Sequence, residues 1–88
     1  MSKKIIITEI DHRTFSVVIF DEIETSHTVI FDDVMINKYN SINLSKLEIV
    51  KKSIEFLLNK EPNTSILSSF NLSIISKYFP EYDHLFDG

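Results

Sequence analysis

The stretch Lys4–Phe31, KIIITEIDHRTFSVVIFDEIETSHTVIF, decides the fold. Three runs within it, Lys4 to Ile10, Phe15 to Phe20 and Thr25 to Phe31, are rich in β-branched and aromatic residues and bounded by polar clusters, the pattern of strands. The joints Asp11-His12-Arg13-Thr14 and Asp21-Glu22-Ile23-Glu24 are too short for a crossover helix. Consecutive strands must therefore pair antiparallel, as a meander. Neither joint holds glycine, so each reads as a four-residue loop on a type I turn, with Asp11 and Asp21 accepting hydrogen bonds from the backbone two residues on.

The strands are apolar on both faces. In the second, Phe15, Val17 and Ile19 project one way and Val18 and Phe20 the other; in the first, Ile5 and Ile7 oppose Ile6 and Ile10. A sheet with one wet face alternates more cleanly. Either helices cover one face and a second copy or a partner covers part of the other, or strong twist brings both faces to one small core.

Beyond Phe31 the apolar period changes from two to that of a helix. Asp32-Asp33 offers an N-cap for a short helix, Val34 to Tyr39, followed by the polar linker Asn40-Ser41-Ile42-Asn43. Ser45 with Glu48 forms a capping box, and the helix it opens runs to about Lys60, ahead of Pro62. Leu47, Val50, Ile54, Leu57 and Leu58 form the stripe placed against the sheet. Ile49 and Phe56 fall nearly opposite at about 100° per residue, which calls for a second cover. The C-terminal segment supplies it: two short helices capped at Asn63-Thr64 and Asn71, carrying Ile66, Leu67 and Phe70, then Leu72, Ile74, Ile75, Tyr78 and Phe79. Pro80 turns the chain into Glu81–Phe86. The expected architecture is α+β in a single domain spanning 1–88: a three-stranded antiparallel meander (1–32), then one long and two or three short helices packed on one face (33–88).

One run carries a resemblance: Phe56-Leu57-Leu58-Asn59-Lys60-Glu61-Pro62-Asn63-Thr64-Ser65-Ile66-Leu67, then Phe70-Asn71-Leu72-Ser73, Ile75 and Tyr78-Phe79-Pro80-Glu81-Tyr82. It resembles the C-terminal half of a group of small acidic bacterial proteins to which no activity is assigned. The resemblance covers about a third of the chain and implies no activity, cofactor or partner. In that group the segment before the long helix is shorter and often holds glycine, unlike Asn37–Asn43 here.

Composition excludes more chemistry than it suggests. The only glycine is Gly88 and there is no cysteine. Phosphate loops, dinucleotide fingerprints, nucleophile elbows and calcium loops need glycine's backbone freedom. Disulfides, iron–sulfur clusters, cysteine nucleophiles and zinc ribbons need thiols. A net charge of −4 with a single arginine, Arg13, argues against nucleic acid. The lysines at 46, 51, 52 and 60 are interleaved with Glu48, Glu55 and Glu61, as on a solvated helix face. No apolar run approaches the roughly 20 residues of a membrane helix, and no signal-peptide pattern follows Ser2-Lys3-Lys4, so a cytoplasmic location without membrane attachment is expected.

No residue is nominated as catalytic, cofactor-binding or metal-binding. His12 reads as a turn residue, His27 as a hydrogen-bonded strand residue facing the same way as Val29 and Phe31, and His84 as part of a frayed end. The residues nominated for interaction are Tyr78, Phe79, Pro80 and Tyr82, a semi-rigid aromatic segment, with Val18 and Phe20 on the second sheet face. The competing reading is that Tyr78 and Phe79 plug the domain's own core over Ile49 and Phe56. Three functions follow from these residues. The first is a non-enzymatic protein-interaction module that binds itself or another protein. The second is an acidic inhibitor using Asp21, Glu22, Glu24, Asp32 and Asp33 against a basic surface. The third is a small metal-dependent hydrolase, which needs a pocket where two or more of His12, His27, Glu9, Asp11 and Asp32 converge.

Overall fold

A computed structural model describes residues 4–39 and 44–85. The linker Asn40–Asn43 and the end of the Glu81–Phe86 stretch lie outside the described residues. Strands β1 (Lys4–Glu9), β2 (Thr14–Phe20) and β3 (Thr25–Ile30) form the expected antiparallel meander. Asp11 Oδ1 accepts from the amides of Arg13 and Thr14, both at 2.8 Å, closing the first loop. Asp21 Oδ1 accepts from the next amide, Glu22, at 2.9 Å. No described residue has positive φ, so both loops close without glycine.

The sheet has four strands rather than three. β4 (Ser69–Asn71) joins β3 in parallel, giving the order β1-β2-β3-β4. Phe70 and Asn71 thus sit on a strand where a short helix and its cap were expected. The reason is the side-chain ties that hold residues 63–73 along β3. Asn63 Nδ2 donates to the Ile23 carbonyl (2.8 Å) and Thr25 Oγ1 (2.9 Å). His27 bonds the Leu67 carbonyl, the Thr28 amide donates to the Ser68 carbonyl, and Asp32 accepts from the amide and hydroxyl of Ser73. A strand of three residues has no readable period, and these ties from β3 set its place.

Helices α1 (Asp33–Tyr39), α2 (Lys46–Lys60) and α3 (Ile75–Tyr78) pack on one sheet face, with 3-10 turns at Asn63–Ser65, Leu72–Ile74 and Pro80–His84. Ser45 and Glu48 make the capping box, each backbone amide bonding the other's side chain at 3.2 Å. At the far end, Glu61 turns extended ahead of Pro62. Asp32 precedes the first residue of α1, but its carboxylate serves Ser73, while Asp33 pairs with Arg13 at 2.7 Å.

The orientation of α2 differs from the expected stripe. Its buried residues are Ile49, Val50, Ser53, Ile54 and Leu57, whereas Leu47 is exposed and Leu58 half-buried. At about 100° per residue this face is turned about 60° from the expected one. Ile49 consequently belongs to the main core, not to a second face. A serine accounts for the difference. Ser53 Oγ donates to the Ile49 carbonyl (2.7 Å) and lies 2.6 Å from the Tyr82 hydroxyl. With both its groups satisfied, serine is tolerated in the core. The core joins Phe15, Val17 and Ile19 of β2, Val29 of β3, Phe31 and Met35 to this face of α2, closed by Phe70, Leu72, Ile75 and Tyr82.

Candidate interaction surfaces

The aromatic C-terminal segment divides between core and surface. Tyr82, from the turn led by Pro80, is buried at 1% exposure, its ring 5.6 Å from that of Phe56. The proton of Ser53 goes to a carbonyl, so the Tyr82 hydroxyl is the donor between the two. Burial, with the carboxylates of Asp32 and Asp83 adding, pushes this phenol up to about 12, and the Ser53 hydroxyl beside it opposes the rise. Phe79 is half-buried and meets Phe56 edge-on at 6.0 Å. Tyr78, expected with Phe79 over Ile49 and Phe56, is instead 66% exposed, and Pro80 is exposed too. The cover over Phe56 is therefore Phe79 with Tyr82. Lys60 binds Glu81 at 2.9 Å, lies 5.4 Å from the Phe56 ring centre, and holds the Glu81 carboxyl below its usual range.

Tyr78 and Phe79 also line a groove of about 330 Å³, half-open to solvent, between the end of α2, the chain entering β4, and α3. Leu57, Ile66, Phe70, Ile74 and Ile75 line it, with Leu67 exposed beside Tyr78 and Glu61 contributing a carboxylate. The sequence pattern pointed to Tyr78 and Phe79. It gave no sign that Glu61, at the end of α2, and Phe70, on β4, would meet there.

Val18 and Phe20 lie on the second surface, the sheet face turned away from the helices. Register puts Ile6 opposite Val18 and Lys4 opposite Phe20. The outward positions are Lys4, Ile6 and Thr8 on β1, Thr14, Ser16, Val18 and Phe20 on β2, Ser26, Thr28 and Ile30 on β3, and Ser69 and Asn71 on β4. Of these twelve, Lys4 alone is charged, in a chain in which 25% of residues are. None is fully buried, and Ile6 and Phe20 are 42% and 37% exposed. The chain's charge is thus concentrated away from this face.

The remaining candidates are used separately. His27 is buried on the inner face beside Val29, Nδ1 2.7 Å from the Leu67 carbonyl and Nε2 2.8 Å from Thr25 Oγ1. A carbonyl only accepts, so Nδ1 carries the proton. Asp11 and His12 are exposed in the first loop, where the Arg13 amide holds the Asp11 carboxyl below its usual range and the His12 carbonyl accepts from Lys46 at 2.8 Å. Glu9 and His84 are exposed. Among the described residues no group of three or more His, Asp or Glu could hold a metal ion. Asp21, Glu22 and Glu24 lie at the start of β3 and Asp32 and Asp33 beyond its end, about 20 Å apart at some 3.3 Å per residue. These carboxylates do not form one acidic patch. Among the described residues no helix is long and apolar enough to cross a membrane.

No family model, curated protein or solved structure matches the chain.

Proposed function

We propose that this protein is a non-enzymatic protein-interaction module that self-associates through the outer face of its sheet. The observation that carries the reading is the near absence of charge from that face. Two chains of net charge −4 repel in most orientations, and least where both surfaces are uncharged. A two-fold contact lays Ile6, Val18 and Phe20 of each copy against the other, and the surrounding threonines and serines desolvate at less cost than charges.

Area sets the strength. Four strands at about 4.8 Å spacing and six residues at about 3.3 Å make a face of roughly 400 Å². Covering it on both copies removes about 800 Å², below the roughly 1,200 Å² of stable complexes. The dimer is therefore weak and reversible. Sedimentation of the wild-type chain from about 10 μM to 1 mM tests this. Mass should rise with concentration, and Phe20→Glu, at a position already open to solvent, should hold the protein monomeric. The control Ile23→Glu, on a loop, should dimerise as the wild type does. A wild type that stays monomeric throughout, or a Phe20→Glu variant that still dimerises, overturns the proposal.

A further inference from the structure

We infer that the groove between α2, β4 and α3 is a docking site for an extended peptide segment of a partner protein, one that presents a large apolar side chain and, two residues away, a lysine or arginine. The groove belongs to the helical side of the sheet, so this inference does not depend on pairing through the outer face.

Shape selects the occupant's form. At about 330 Å³ the groove is at the small end of ligand sites, which enclose most of a small ligand's surface. This one is half-open, so a small molecule would keep a broad face in water. A peptide can lower one side chain onto Leu57, Phe70 and Ile75 and leave its backbone solvated. Exposed Tyr78 and Leu67 flank that entry, as rim residues that keep water from a buried anchor.

Charge selects its sequence. Among the described residues, Glu61 is the only charged one lining the groove. Its carboxylate enters no hydrogen bond or ion pair among the described residues, while the neighbouring Lys60 is already held by Glu81. A cation on the occupant completes that carboxylate, and the chain's negative charge favours its approach. In an extended segment residues two apart share a face, which sets the spacing between anchor and cation.

Magnitudes rank the two contacts. Loss of the burial of a leucine-sized side chain weakens binding by about ten-fold or more. Loss of a partly exposed ion pair weakens it by about two- to five-fold. The anchor sets affinity and Glu61 sets preference.

The test is an amide NMR titration of the full chain with three end-blocked peptides in one serine–threonine background, carrying Leu-Ser-Lys, Leu-Ser-Glu or Ser-Ser-Lys. The inference expects Leu-Ser-Lys to give saturable shifts at Leu57, Ile66, Phe70 and Ile75. Leu-Ser-Glu should bind several-fold more weakly and Ser-Ser-Lys at least ten-fold more weakly. Glu61→Gln keeps the backbone cap of α2 and should remove the preference for lysine over glutamate while retaining the leucine contact. Tyr78→Ser, at an exposed position, should weaken all binding without unfolding the chain. Absence of saturable shifts with Leu-Ser-Lys, equal binding of the three peptides, or an undiminished lysine preference in Glu61→Gln overturns it.

Discussion

Removing the hydroxyls of Ser53 and Tyr82, singly and together, measures what turns α2 to its observed face. Ser53→Ala removes the acceptor 2.6 Å from the buried Tyr82 hydroxyl, and taking a partner from a buried hydroxyl costs about 1–3 kcal/mol. Alanine's higher helix propensity returns about 0.5 kcal/mol, so the net loss is about 0.5–2.5 kcal/mol. Tyr82→Phe leaves Ser53 still donating to Ile49, with only an acceptor lone pair idle, and costs about 0.5–1.5 kcal/mol. In the double variant neither hydroxyl remains. It should therefore be more stable than the summed single losses imply, by about 1 kcal/mol. The chain has no tryptophan, so urea unfolding is followed by far-UV circular dichroism, and each kcal/mol corresponds to about 4–8 °C in melting temperature. Additivity within about 0.3 kcal/mol would refute the argument, since the contact would then not hold the helix face in place.

Two further outcomes follow from buried groups. The Tyr82 phenol is raised from 10.0 to about 12 in the folded chain, so the folded state holds its proton more tightly than the unfolded one. Stability from this group is complete below pH 10 and falls as pH rises towards 12, by about 2–3 kcal/mol in all; Tyr82→Phe should lack that component in alkaline denaturation, and an identical profile would contradict it. His27→Ala strands the Leu67 carbonyl and leaves the Thr25 hydroxyl with Asn63 alone, and should cost about 2–3 kcal/mol, with faster hydrogen exchange at the Thr28 amide that bonds Ser68; unchanged exchange there would mean that His27 does not hold the docking of β4.

Much of the fold was legible because it is local. The two hairpins follow from apolar runs separated by four residues, the start of α2 from Ser45 and Glu48, and its end from Pro62. The inward set on β2 follows from alternation alone. Where the reading missed, a distant partner decided. Ser53 lay outside the expected stripe, which ran through Leu47 and Leu58 instead. Tyr82 and Tyr78 have the same side chain four residues apart, and only the turn at Pro80 sends one inward and leaves the other on the groove. The outer face was half legible: alternation pointed to Val18 and Phe20, but the scarcity of charge across all four strands needed the register and the fourth strand.

By itself the sequence determined the α+β class, the meander, the capped helix and the exclusion of glycine- and thiol-dependent chemistry, because each depends on residues within a few positions of one another. Tertiary structure alone decided the fourth strand, the rotation of α2, and the meeting of Glu61 with Phe70 and Tyr78 in one groove. Those outcomes depend on hydrogen bonds and packing between residues such as Asn63 with Ile23 and Ser53 with Tyr82. Partners that distant leave no period in the chain, and they act only after folding has brought them together.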